Sequence, residues 1–114
     1  MHELSVTENI LDVVLKHAQD AHARQVVNIY LVIGQLASIV DDSVQFYWEM
    51  IAKDTIAEQA CLHFRRVPAK FECLDCGHTF RLDDGDWLCP HCGSAQLTVI
   101  AGEEFFIESM DVET

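Results

Sequence analysis

Two Cys-x-x-Cys turns carry the plainest chemistry in this chain: Cys73-Leu74-Asp75-Cys76-Gly77 and Cys89-Pro90-His91-Cys92-Gly93, with twelve residues between them. Two residues between thiolates let a single tight turn aim both sulfurs at one point. The glycine after each second cysteine permits a positive φ, which turns backbone N–H groups toward the sulfurs. Two such knuckles face to face make a tetrahedral four-sulfur site, a donor set and geometry that suit zinc. The interval is a little shorter than the commonest one for paired zinc knuckles but keeps the pattern. The competing readings are two disulfides or plain reduced cysteines. Disulfides need an oxidising compartment, and the chain starts Met1-His2-Glu3 with no apolar signal segment. Cys61 has no near partner in sequence and is expected to be a small buried apolar residue.

The amino terminus offers a second set of donors. The terminal amine, the amide nitrogen of the second residue and the imidazole of His2 close fused chelate rings around one ion. Deprotonated amide nitrogen is a strong-field donor that suits a square-planar ion such as Ni(II) or Cu(II) and suits zinc poorly. Glu3 can add its amide or its carboxylate. The bland reading of His2 is a solvated side chain, and that of Glu3 is an acid favoured by the dipole at a helix start. The other histidines are read as solvated on a helix (His17, His22), as lying on a strand face (His63), or as neighbours of the thiolates (His78, His91).

These sites must be held by 114 residues, enough for one domain or a small domain with a metal-stapled module. Nineteen acids against seven Lys and Arg give a net charge of −12. A polyanion would be repelled, because nucleic-acid binding draws on cation–phosphate contacts. The ribbon repeats the bias, with Glu72, Asp75, Asp83, Asp84 and Asp86 against Lys70 and Arg81. This argues against a nucleic-acid partner and fits cation handling or a basic protein partner. No stretch is long and apolar enough for membrane insertion.

Helical spacing of Val6, Ile10, Val13, Val14 and Ala21 predicts a first helix to about Ala23, with Ser5 and Glu8 as a capping box. Val26 to Ile33 is apolar on both faces and bounded by Gly34, which predicts a central strand. Asp42 or Ser43 is expected to cap a second helix, whose stripe is Val44, Tyr47, Trp48 and Ile51. Cys61 to Val67 reads as a strand ended by Pro68. Phe71, Phe80 and Trp87 are expected to pack around the metal, since so small a module needs its staple. Phe105, Ile107 and Ser109 alternate with Phe106, Glu108 and Met110 in a last strand. That strand is expected to return to the first sheet, so the ribbon is an insertion carried on two neighbouring strands. The expected architecture is α/β (α+β): a small three-stranded mixed sheet with two helices, carrying an inserted zinc ribbon with rubredoxin-like knuckles. The expected domains are 1–67 with 103–114, and the ribbon 68–102.

His2-Glu3 at the start, a helix–strand–helix unit, and the segment from Phe71-Glu72-Cys73 to Cys92-Gly93-Ser94 together resemble the HypA/HybF family of hydrogenase-maturation nickel chaperones. The resemblance covers essentially the whole chain. It implies a small cytoplasmic metallochaperone, not an enzyme, that binds Ni(II) at His2, with Glu3 beside it. It implies a mainly structural Zn(II) at Cys73, Cys76, Cys89 and Cys92. It further implies work with a HypB-type GTPase and delivery of nickel to the large subunit of [NiFe]-hydrogenase. Some relatives carry a second histidine beside the last knuckle, where this chain has Gly93 and Ser94. We expect a monomer or weak homodimer. The alternatives are a rubredoxin-like iron electron carrier, or a zinc-ribbon protein-interaction module. A metal-dependent hydrolase has no His-Glu-x-x-His pattern and no nucleophile elbow to stand on.

Overall fold

A computed structural model describes residues 3–81 and 87–114. His2 and the acids Asp83, Asp84 and Asp86 lie outside the described residues. The elements run α1 (Glu3–Asp20), β1 (Gln25–Gly34), α2 (Asp41–Ile51), β2 (Cys61–Val67), β3 (Lys70–Cys73), β4 (Thr79–Arg81), β5 (Leu97–Ala101) and β6 (Phe105–Glu113).

The strands form two three-stranded sheets, ordered β2-β1-β6 and β4-β3-β5. The first sheet is mixed, as its bonds show. Arg24 N–H donates to the Glu113 carbonyl and Gly34 N–H to that of Glu104, so β6 runs antiparallel to β1. Gln35 N–H donates to the Val67 carbonyl, and His63 bonds Asn28 near the other end, so β2 runs parallel to β1. The α/β class, the two helices and the central place of β1 are therefore as expected. One expectation fails: the strands that carry the ribbon, β2 and β6, are not neighbours, because β1 lies between them. A parallel β1–α2–β2 crossover puts β2 on one flank of β1, which leaves the other flank to the antiparallel return of β6.

The chain divides into two compact units. The first comprises Met1–Val32, Ser38–Arg65 and Phe106–Thr114; the second comprises Ile33–Ala37 and Arg66–Phe105.

In the first unit α1 packs on α2. The buried stripe of α1 is Glu3, Thr7, Ile10, Leu11, Val14 and Ala18. Val13 is 44 % exposed and Ala21 is exposed, so the face is turned from the expected one. The turn places two polar residues, Glu3 and Thr7, inside; the Thr7 hydroxyl donates to the Glu3 carbonyl one turn back. Val44 and Trp48 of α2 are buried with Val26, Ile29 and Leu31 of β1. Each large apolar side chain so buried contributes about 1.5–3 kcal/mol.

Helix α1 stops at Asp20, short of Ala23, for a local reason. Ala23 N–H donates to Ala18 carbonyl and His22 N–H to Gln19 carbonyl, with His22 at φ +55°. These are the two bonds of a Schellman closure, with His22 in the left-handed position usually taken by glycine. Two capping expectations also change. Helix α1 is already helical at Glu3, which puts Ser5 inside the first turn. Helix α2 begins at Asp41 with Val40 as its N-cap, at φ −100° and ψ 121°, and no side-chain cap bond.

The outer face of the first sheet is polar where β1 was expected to be apolar. Asn28 Nδ2 and the Tyr30 hydroxyl both donate to Asp111 Oδ2, at 3.0 and 3.1 Å. His63 stacks on Tyr30 at 4.7 Å between ring centroids and bonds Asn28 at 2.9 Å. Cys61 is exposed at the start of β2, not buried. Along β6 the inward residues are Phe105, Ile107, Met110 and Val112. The alternation slips at Glu108–Ser109, both exposed, so Ser109 points out where the strict pattern placed it inward.

Candidate metal centres

The ribbon is built on β3. Phe71 pairs with Phe80 on β4 and with Val99 on β5, both antiparallel. Its ring is 1 % exposed and lies 5.9 Å from Phe80 and 5.2 Å from Trp87 between centroids. Trp87 meets it in a T-shaped contact and stays 54 % exposed.

Both knuckles have the same bonds. Gly77 N–H closes on the Cys73 carbonyl at 2.9 Å, and Cys73 N–H donates to the His78 carbonyl at 2.8 Å. Gly93 N–H closes on the Cys89 carbonyl at 2.8 Å, and Cys89 N–H donates to the Ser94 carbonyl at 2.8 Å. Gly77 and Gly93 sit at φ +78° and +77°, the left-handed conformation that lets each loop fold back on its first cysteine. The Ser94 hydroxyl donates to the Asp75 carboxylate, which ties the second knuckle to the first.

The four sulfurs thus converge. Cys73 Sγ is 3.5 Å from Cys92 Sγ, Cys76 Sγ is 3.6 Å from Cys89 Sγ, and all four lie within 4.8 Å of one another. A disulfide would bring two sulfurs to about 2.05 Å, and all five cysteines are free. Zinc–sulfur bonds of about 2.3 Å place tetrahedral neighbours roughly 3.8 Å apart. The cluster fits a tetrahedral ion between the knuckles, with Cys73 and Cys89 buried and Cys76 and Cys92 at the surface.

The thiols are electrostatically unequal. Burial opposes ionisation of Cys73, but N–H groups of Cys76 and Asp75 and the sulfurs of Cys92 and Cys76 outweigh it and bring the thiol down to about 7. The Ser94 N–H favours a Cys92 thiolate, yet bonding to Cys73, burial and the other two sulfurs push that thiol up to about 12. Cys76 is also raised: the His78 N–H favours its thiolate, but burial and the bond to Cys89 prevail. So crowded a set loses its protons together only when a cation supplies the opposing charge. His78 and His91 stack beside the cluster at 5.5 Å, both exposed. Four thiolates fill a tetrahedral shell without them and leave no open position for water.

At the other candidate centre, Glu3 is 9 % exposed, and its Oε2 accepts the N–H of Val40 at 3.4 Å. That contact was not anticipated, because 37 residues separate the partners and no local pattern links them.

A convergent sulfur cluster on a small acidic α/β scaffold defines a metal-binding protein. The family model described as "Hydrogenase/urease nickel incorporation, metallochaperone, hypA" matches residues 1–112. A hydrogenase maturation factor HypA from Dehalococcoides mccartyi is 50 % identical over 113 residues, covering 99 % of this chain and 95 % of its relative. One from Caldanaerobacter subterraneus is 39 % identical, covering 99 % of this chain and all of the relative. The solution structure of the Ni metallochaperone HypA from Helicobacter pylori superposes with a TM-score of 0.69 at 23 % identity, covering 99 % of this chain and 98 % of that one. This chain belongs to the HypA family of nickel-incorporation metallochaperones for hydrogenase maturation.

Proposed function

We propose that this protein binds Ni(II) at its N-terminus through His2, carries it, and delivers it to the large subunit of [NiFe]-hydrogenase. In this reading a HypB-type GTPase works beside it in the cytoplasm, and the protein is not an enzyme. Zn(II) at Cys73, Cys76, Cys89 and Cys92 is a resident structural ion. The observation that carries the zinc half is the four-sulfur convergence within 4.8 Å. The nickel half is supported by membership in a nickel-incorporation family together with His2 at the second position.

The division of labour follows from donor chemistry. A closed thiolate shell holds its ion too completely to be a carrier site. A terminal chelate of amine, amide nitrogen and imidazole suits Ni(II) and gives it up when protons compete for those nitrogens. The test is calorimetry with nickel on untagged protein with its native terminus. His2→Ala should abolish nickel uptake and leave zinc content unchanged, and residues added before Met1 should weaken the site. Full nickel affinity in the His2→Ala protein overturns the reading.

A further inference from the structure

Helix α2 buries one apolar stripe and leaves a second one in solvent. Val44 and Trp48 face the core. Phe46 and Met50, one turn apart, stand 59 % and 54 % exposed, and Val40 at the head of the helix is 52 % exposed. Ser43 and Tyr47, both half-buried, lie between Val40 and this pair on the same arc of the helix. Phe46 meets the Tyr47 ring in a T-shaped contact at 5.4 Å between centroids. Single exposed apolar side chains are ordinary on any surface. A continuous row of them marks a surface that another molecule covers.

The charge around the row selects that molecule. Helix α1 has four acids and one lysine; helix α2 has three acids and no basic residue. Asp42 and Glu49, both exposed, flank the row on one side. On its other side, between the helices, Ser5, Glu8, Asn9 and Asp12 of α1 line an open notch of about 420 Å³, with Leu11 and Ile51 as its apolar wall. Two carboxylates beside an apolar wall suit a Lys or Arg side chain, whose stem packs while its head is paired. A second copy of this chain would set acids against acids across the contact, which is costly.

We propose that this helical face of the first unit is a docking surface for a basic amphipathic helix of a partner protein. The apolar row of that helix packs on Val40, Phe46 and Met50. Its Lys and Arg side chains meet Asp42 and Glu49 on one flank and enter the Glu8–Asp12 notch on the other. Recognition of this kind reads anchors at helical spacing, with charge fixing partner and orientation. Docking uses neither metal site, so it is measured separately from nickel uptake.

The probe is a synthetic amphipathic peptide of about five helical turns, leucine along one face and lysine over the rest. It is titrated into zinc-loaded, nitrogen-15-labelled full-length protein. A control peptide carries glutamate at every lysine position. Expected is saturable binding of one lysine peptide per chain, with amide shift changes concentrated in α2 and around the notch. Binding should weaken as salt rises, and the glutamate peptide should not bind. Phe46→Ser combined with Met50→Ser removes the row without touching a buried side chain, and circular dichroism checks that the helices remain. That variant should bind the lysine peptide roughly tenfold or more weakly. Glu8→Gln with Asp12→Asn should flatten the salt dependence. Equal binding by the Phe46→Ser, Met50→Ser variant, equal binding of the glutamate peptide, or shift changes spread over the outer sheet face overturns the proposal. Sedimentation of the protein alone is the remaining arm. A dimer that dissociates when Phe46 and Met50 are replaced assigns the row to a second copy and overturns it as well.

Discussion

Gly34 lies directly against the carbonyl of Gly102: a Cβ built on Gly34 would stand 2.0 Å from that oxygen. The approach is locked by short backbone bonds, Leu36 N–H to the Gly102 carbonyl at 2.7 Å and Gly34 N–H to the Glu104 carbonyl at 2.6 Å. Gly102 is constrained twice, by φ +108° and by Ala69, whose Cα would be 2.6 Å from an added Cβ. Backbone on both sides cannot give way as a flexible side chain could. Gly34→Ala and Gly102→Ala should each cost more than about 2 kcal/mol, measured by urea unfolding. Gly93→Ala meets nothing within 4 Å and is strained only by its φ, so it should cost about 1–2 kcal/mol. An equal loss in all three would show that close approach is not what selects Gly34.

His22 closes α1 in the left-handed conformation at φ +55°. A Cβ is unfavourable there, and glycine is the residue that fits without strain. His22 is exposed and no packing argues for keeping it. His22→Gly should therefore stabilise by about 0.5–1 kcal/mol, the usual gain from a compatible cap change. A thermal melt followed by circular dichroism reads it; a lower Tm refutes the closure described.

Tyr30 adds a pH dependence. Its hydroxyl donates to Asp111, and that bond, with some burial and the nearby negative charge, raises its pKa above the usual 10.0. The folded state thus holds the phenolic proton more tightly than the unfolded one. The associated stability is fully present below pH 10 and is lost as pH rises through the folded pKa. Stability against urea should decline over that alkaline range in the native protein, and the Tyr30-linked part of the decline should vanish in Tyr30→Phe. Identical alkaline profiles would remove the Asp111 bond from the account.

Local signals carried most of this fold. Strand β2 was legible from Cys61 to Val67 because alternation and Pro68 are local, and the knuckles were legible because spacing, glycines and thiolates all lie within five residues. What was missed depends on tertiary context. The inward face of α1 includes Glu3 and Thr7, which a hydrophobic pattern marks as polar and which become buried through bonds to Val40 and within the first turn. The polar outer face of β1 needed Asp111 and His63 from β6 and β2 to explain Asn28 and Tyr30. The N-cap of α2 went to Val40, over the good local formers Asp42 and Ser43, because its N–H is met from another helix.

The cysteine cluster makes a prediction about metal and protons together. One zinc per chain is expected, with the protein colourless; iron in its place would give the red of ferric thiolate and revive the electron-carrier alternative. Near neutral pH Cys73, at about 7, is partly ionised, whereas Cys76 is raised and Cys92 stands at about 12. Binding a divalent ion must therefore expel more than one proton, and affinity must fall as pH falls. Zinc competition with a chelator at pH 6 and pH 8 should show much weaker retention at pH 6, and calorimetry in two buffers of different ionisation enthalpy should count the protons released. Removing the zinc, or changing any one of the four cysteines to alanine, should unfold the ribbon, because metal-binding free energy is folding free energy in so small a module. Loss of the Phe71 and Phe80 aromatic signals in the NMR spectrum would report it. A zinc affinity independent of pH, or a ribbon that stays folded without metal, would mean the four sulfurs are not the ligands.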